Sequence, residues 1–176
     1  MTEVEFIHPD HLATQRVAVL LCSFNGARFL GEQLDSILAQ NHYDWHLWVS
    51  DDGSVDGSLR ILENYREWRC PGRMDIRKGP RKGFAANFLS LVCEETIGGD
   101  YFAYADQDDV WCSDKLSRAL AWLSTVDAGV PALYCSRSRL IDETGRFIGL
   151  SPMPRHPPDI RNALVENIAG GNTMVF

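Results

Sequence analysis

Ala105-Asp106-Gln107-Asp108-Asp109-Val110-Trp111 sets three carboxylates and an amide directly behind the apolar segment Tyr101-Phe102-Ala103-Tyr104. A buried strand would end there, so the acids meet solvent or a ligand at its carboxyl edge. Carboxylates crowded this closely repel one another unless a cation offsets them, and hard divalent metals take oxygen ligands. The natural partner of such a metal is a diphosphate, which makes the chain a candidate nucleotide-using enzyme. Asp106 and Asp108 are spaced by two, which in an extended segment turns both to one side. Asp108 is the expected metal ligand, with Asp106 close to the same metal or to a ribose. The metal would offset phosphate charge in the departing group as a Lewis acid. The helix dipole favours acids at a helix start, which accounts for Ser113 and Asp114 but not for acids directly behind a strand.

Two more polar loops sit behind apolar runs. Cys22-Ser23-Phe24-Asn25-Gly26 closes the run that begins at Val17, and Ser50-Asp51-Asp52-Gly53-Ser54 follows Leu47-Trp48-Val49. In open α/β sheets, ligands bind outside the carboxyl ends of the strands, so loops at one edge converge on one pocket. Asp52 is suited to accept a hydrogen bond from the ring N–H of a uracil or thymine, and Phe24 to stack on that base or to join the core. Asp51 reads equally well as turn or cap chemistry. Gly83 opens a helix where backbone N–H groups favour anions, and Asn87, one turn on, faces the same side.

The elements that must position these residues alternate. Apolar runs at residues 17–22, 47–49, 74–77 and 101–105 read as strands covered on both faces. Between them lie amphipathic helices: one with Phe29, Leu30, Leu34, Ile37 and Leu38, one with Leu59, Leu62, Tyr65 and Trp68 on one side, and a third over residues 84–94. A fourth opens near Ser113 with Leu116, Leu120 and Leu123 inward. Repeated β-α units predict an α/β fold with a mainly parallel sheet, Rossmann-like in character. After Pro131 the rhythm changes. Residues 132–139 and 147–150 are expected strands around the turn Asp142-Glu143-Thr144-Gly145, residues 151–158 with four prolines an ordered loop, and 160–167 a short helix.

The chain has 176 residues, enough for one domain with its own core, and its 45% apolar and 23% charged content is that of a globular protein. A net charge of −7 argues against a general nucleic-acid binder, since nothing supplies a broad basic footprint. The short basic run Arg77, Lys78, Arg81 and Lys82 is a solvated loop or local positive charge beside an anion. Five scattered cysteines without C-x-x-C indicate neither a disulfide framework nor zinc, as in a reducing compartment. No apolar run is long enough to span a bilayer, and residues 1–15 lack the apolar region of a secretory signal. A cytoplasmic chain with a poorly ordered leader over residues 1–15 is expected. His8, His11, His42, His46 and His156 show no ligand spacing.

Taken together, Ser23-Phe24-Asn25-Gly26, Asp51-Asp52-Gly53-Ser54, Gly83 with Asn87, and the D-x-D signature Asp106-Gln107-Asp108 resemble the family 2 glycosyltransferases of the GT-A fold. The wording around Asp106–Trp111, with Gly170-Gly171-Asn172-Thr173-Met174-Val175-Phe176, looks like that of bacterial rhamnosyltransferase-type members. The resemblance covers the chain from Arg16 onward. It implies a UDP- or dTDP-sugar donor held by Ser23, Phe24, Asn25, Asp51, Asp52, Gly83, Asn87, Asp106 and Gln107, with Mn²⁺ or Mg²⁺ on Asp108 and Asp106. It also implies inverting transfer to the hydroxyl of a saccharide or lipid-linked saccharide, in cell-surface polysaccharide synthesis. Residues 16–130 would form the donor-binding region and 131–176 the start of the acceptor-binding region. Peripheral attachment to the inner face of the cell membrane is compatible with it.

That chemistry needs a general base to take the acceptor proton. The resemblance places it beyond Phe176; Asp142, Glu143, Asp159 and Glu166 do not occupy the matching place. The chain is therefore expected to be C-terminally incomplete, and a nucleotide-sugar-binding piece without turnover is the second reading. A third takes Asp106-Gln107-Asp108-Asp109-Val110 as the D-x-D-x-V motif of haloacid-dehalogenase-type phosphatases, which leaves the other two polar loops unexplained. A dinucleotide-binding dehydrogenase lacks its G-x-G-x-x-G.

Overall fold

A computed structural model describes residues 15–153, 159–165 and 167–176. The leader over residues 1–14 with His8 and His11, most of the proline-rich loop with His156, and Glu166 lie outside the described residues.

Strand β1 (Val17–Ser23) is buried along its whole length, as its unbroken apolar run requires. It is flanked by β2 (Trp45–Asp51) on one side and β4 (Tyr101–Asp106) on the other, both parallel to it. Strand β3 (Met74–Lys78) pairs in parallel with β2, which gives the order β3-β2-β1-β4. Helices α1 (Leu30–Leu38), α2 (Ser58–Asn64) and α4 (Lys115–Leu123) cover the face carrying Val17, Val19 and Leu21, and α3 (Phe84–Val92) lies over Ala18, Leu20 and Cys22. Leu20 is fully buried between β1 and α3. Leu20→Ala is expected to cost about 2–5 kcal/mol through lost contacts and the residual cavity, measured by denaturant unfolding.

The chain reverses direction across this sheet. It steps from β1 outward through β2 to β3, then returns to place β4 on the far side of β1. The crevice above β1 and β4 is thus the topological switch point at which such sheets bind ligands.

The expected elements of this unit are present, with three corrections. Leu59 and Trp68 were expected on the apolar side of the second helix but are 41% and 79% exposed. The chain behind α2 winds as a π-helix over Tyr65–Arg69, with Cys70 N–H donating to Tyr65 O at 2.9 Å, and the wider turn rotates Trp68 off the buried stripe. Residues 132–138 form no continuous strand; Tyr134 makes a single bridge to Val175, and the regular hairpin is β5 (Arg139–Ile141) with β6 (Phe147–Leu150). Helix α5 is short, Ile160–Ala163, capped by Asp159, whose carboxylate accepts from Asn162 N–H. Residues near Val175 run antiparallel against β4, with Phe102 N–H donating to Phe176 O at 2.7 Å.

Candidate functional site

The loops behind β1, β2 and β4 meet in one cleft of about 740 Å³ at the carboxyl edge of the sheet. Ser23, Phe24, Asp52, Gly83, Asn87, Asp106, Gln107 and Asp108 all line it. Asn25 and Asp51 do not, and the structure gives each a scaffolding task. Asp51 is buried, with one oxygen accepting from Gly53 and Ser54 N–H at 3.1 and 2.8 Å and the other from Ser54 Oγ at 2.6 Å. Asn25, at φ 48°, accepts from Val55 N–H through its side chain and donates its own N–H to Ser54 Oγ, each at 2.9 Å. The first loop is therefore stitched to the second before any ligand arrives.

Asp52 holds a third segment. Its carboxylate oxygens accept from the N–H groups of Arg81 and Gly83, pinning the turn that leads into α3. The Gly83 N–H at the opening of α3 is thus engaged by Asp52 at 3.0 Å. Each oxygen of Asp52 keeps acceptor capacity for a further donor in the cleft. Gly79 completes the arrangement, because a Cβ there would lie 2.6 Å from Asn87 Oδ1 and 2.9 Å from the Asp52 Cα. Asn87 is buried and spends its amide on Ser50: Nδ2 donates to the carbonyl at 3.0 Å, and Oδ1 accepts from Oγ at 2.5 Å. It shapes the wall and ties α3 to β2.

Gln107 is turned toward the first loop. Its Oε1 accepts from Phe24 N–H at 2.9 Å and its Nε2 donates to Phe24 O at 3.1 Å, so the side chain pairs with one residue's backbone as a neighbouring strand would. Phe24 is left 55% exposed at the cleft. Gly26 makes room for this clamp: a Cβ on it would stand 2.1 Å from Gln107 Oε1. Gly26→Ala is expected to expel the amide and lose about 1–2 kcal/mol. In a Gln107→Ala background the same change should cost little, a coupling that a double-mutant cycle of unfolding free energies measures.

The acids behind β4 differ in their surroundings. The strand ends at Asp106 and the chain then turns, so the two-residue alternation of an extended segment is not what brings Asp106 and Asp108 to one cleft; the turn does. Asp108 is exposed and Asp106 half-buried, and neither side chain is hydrogen-bonded among the described residues. Asp109 accepts from Asn172 Nδ2. Burial, with Asp109 and Asp108 beside it, pushes the Asp106 carboxyl up to about 6, against the pull of Lys115. The folded chain therefore holds this proton more tightly than the unfolded chain, whose carboxyl titrates near 3.8. Its contribution to stability is full below about pH 4 and lost as the pH rises through about 6. Asp106→Asn should flatten this segment of the stability–pH curve, followed by thermal unfolding between pH 4 and 7.

No group of three or more His, Cys, Asp or Glu side chains is placed to hold a metal ion among the described residues. Mg²⁺ and Mn²⁺ nonetheless fit the donor set at Asp106 and Asp108. Such ions are held by one or two carboxylates and complete their shell with phosphate and water oxygens. Ser23 Oγ, buried at the cleft and without a hydrogen-bond partner, is a further atom left for a ligand. Sequence reasoning missed Val55 and Phe84, exposed apolar side chains at the cleft (91% and 81%), because neither carries chemistry of its own. Arg81 also lines the cleft; its basic run was visible, its placement was not.

This sheet order, with a polar cleft at its switch point, is that of the GT-A glycosyltransferases. Residues 18–163 match the Glycosyl transferase family 2, and the chain belongs to that family. The phosphatase reading is thereby set aside. The chain is 32% identical over 132 residues to dTDP-rhamnosyl transferase RfbG of Shigella flexneri, covering 70% of this chain and 45% of that protein. Among solved structures, it is similar to the mannosyltransferase PcManGT of Pyrobaculum calidifontis in complex with GDP-Man and Mn²⁺. There the TM-score is 0.61 at 25% identity, over 72% of this chain and 37% of the other. It also shares the fold of S. aureus TarS 1-349 in complex with UDP, with a TM-score of 0.51 at 22% identity, over 66% of this chain and 38% of the other. The chain spans less than half the length of the curated relatives it matches. Among the described residues, no helix is long and apolar enough to cross a membrane.

Proposed function

We propose that this chain binds a UDP- or dTDP-sugar together with Mn²⁺ or Mg²⁺ in the cleft above β1 and β4. In the whole protein, the sugar then passes to an acceptor hydroxyl with inversion. The convergence of Ser23, Phe24, Asp52, Asp106 and Asp108 from three loops on one cleft carries the reading. In it Phe24 lies against the base, and Asp52 accepts the ring N–H while holding the turn at residues 79–83. Asp106 and Asp108 hold the metal, which when bound offsets charge on the diphosphate leaving group. Asn25, Asp51, Asn87 and Gln107 keep the loops in place.

The similarity to a dTDP-rhamnosyl transferase and to structures holding UDP and GDP-Man supports a nucleotide-sugar donor. A saccharide or lipid-linked saccharide acceptor, a role in cell-surface polysaccharide synthesis, and a cytoplasmic site at the membrane face belong to the same proposal. So does the division into a donor region over residues 16–130 and an acceptor region beginning at 131; the cleft is lined by residues of the former.

Calorimetric titration with UDP and dTDP, with and without Mn²⁺, tests it. Binding that strengthens with Mn²⁺ and exceeds that of CDP is expected, since the cytosine ring has no N–H at that position. Absence of binding at millimolar nucleotide with Mn²⁺ present would sink the proposal.

A further inference from the structure

Ser36 in α1 and Gln40 just behind it are buried polar residues outside the cleft, and the proposed chemistry does not use them. Both are bonded to the segment that leaves the acidic loop. Trp111 N–H donates to Ser36 Oγ at 2.9 Å, and that hydroxyl donates onward to Gln33 O at 2.7 Å. Gln40 Nε2 donates to Cys112 O at 2.8 Å, while its Oε1 accepts from Leu116 N–H at 3.1 Å. Asn41 N–H adds a bond to Ser113 O at 2.8 Å. The Leu116 bond has a local cause. The first turn of a helix leaves N–H groups without intrahelical partners, and Asp114 at the start of α4 makes no side-chain cap bond. Gln40, 76 positions away from Leu116, supplies the acceptor instead.

These bonds fix one end of the stretch that carries Asp108. Gln107 fixes the other end, because its amide holds the Phe24 backbone. Asp108 stands between the two anchors, and its carboxylate makes no hydrogen bond among the described residues. We propose that Ser36 and Gln40 are positioning residues for the metal half of the donor site, holding the acidic loop where Asp106 and Asp108 can share one ion. This rests on the reading that these two acids hold the metal. Buried polar groups whose bonds are all made are rigid, and metal ligands must be held to within about 0.5 Å. The base half is held separately, by Gln107 on Phe24 and by Asp52 on the turn at Arg81 and Gly83. Loosening the anchor at Trp111 should therefore weaken what the metal adds to nucleotide binding and spare what the base adds. A side chain that served the fold alone would weaken both together.

The test is calorimetric titration of UDP with and without Mn²⁺ on the wild type, Ser36→Ala and Ser36→Thr, read as the ratio of the two affinities. Ser36→Ala takes the acceptor from Trp111 N–H. Its Mn²⁺ enhancement should fall on the order of tenfold, at the lower end of what lost groups behind metal ligands cost. UDP alone should bind it as it binds the wild type. Ser36→Thr keeps the hydroxyl and should keep the wild-type ratio. Should Ser36→Ala fail to fold by circular dichroism, Gln40→Met, close in length and without the amide, is read in the same way. A ratio unchanged in the folded variant, or lost equally in Ser36→Thr, overturns the inference and leaves the donor reading intact. A wild type whose UDP binding does not respond to Mn²⁺ overturns both.

Discussion

Asp108→Ala abolishes the dependence of nucleotide binding on Mn²⁺. Losing a contact only one shell out from a metal commonly costs 10–100-fold in affinity, so losing one of two direct carboxylates should cost at least about 100-fold, or about 2.7 kcal/mol. The effect on the metal-free protein should have the opposite sign. Asp108 raises the proton affinity of Asp106 by repulsion, so its removal relieves crowding in the loop. The metal-free variant should melt no lower than the wild type, while the upward shift that Mn²⁺ with UDP gives the wild type disappears. Calorimetric titration and thermal unfolding on the same preparations separate the two effects. A variant that still responds to Mn²⁺ as the wild type does would remove Asp108 from the metal site.

Asp52→Ala should be the most damaging single change at the cleft. The carboxylate is only 8% exposed and accepts from both Arg81 and Gly83 N–H. Deleting it leaves two donors without their partner, at about 1–3 kcal/mol each before water reaches the loosened turn. A net loss of about 2–4 kcal/mol is expected in denaturant unfolding. Asp52→Asn should fall between, since its oxygen still accepts one N–H while its NH₂ faces the other donor. The nucleotide supplies the second measurement. If Asp52 also accepts the ring N–H of the base, the asparagine variant loses its preference for UDP and dTDP over CDP, beyond what its stability explains. A preference that survives in Asp52→Asn would confine Asp52 to the fold.

Much of the donor side was legible in the residues. The run Val17–Cys22 is apolar at every position, as a strand covered on both faces requires, so β1 and its two buried faces followed. Polar loops behind three such strands then pointed to one edge. Gln107 and Asn87 line the cleft, yet their amides are spent on Phe24 and Ser50. An amide gives the same signal in sequence whether it meets a ligand or a neighbouring backbone. The placement of Trp68 on the apolar side failed because periodicity assumes one helical pitch, and a single wide turn at Tyr65–Arg69 changes it.

The sequence alone determined the alternation of strands and helices, the parallel sheet, and the family, because these rest on local apolar periodicity and on short motifs that travel with their own loops. Only the tertiary structure decided which polar groups remain free. Asp52 accepts from Arg81 and Gly83, 29 and 31 positions away, and Gln107 accepts from Phe24 N–H across 83; these bonds depend on the order β3-β2-β1-β4 that brings distant loops together. A carboxylate's chemistry is set by what stands next to it in space, and that is decided when the sheet forms.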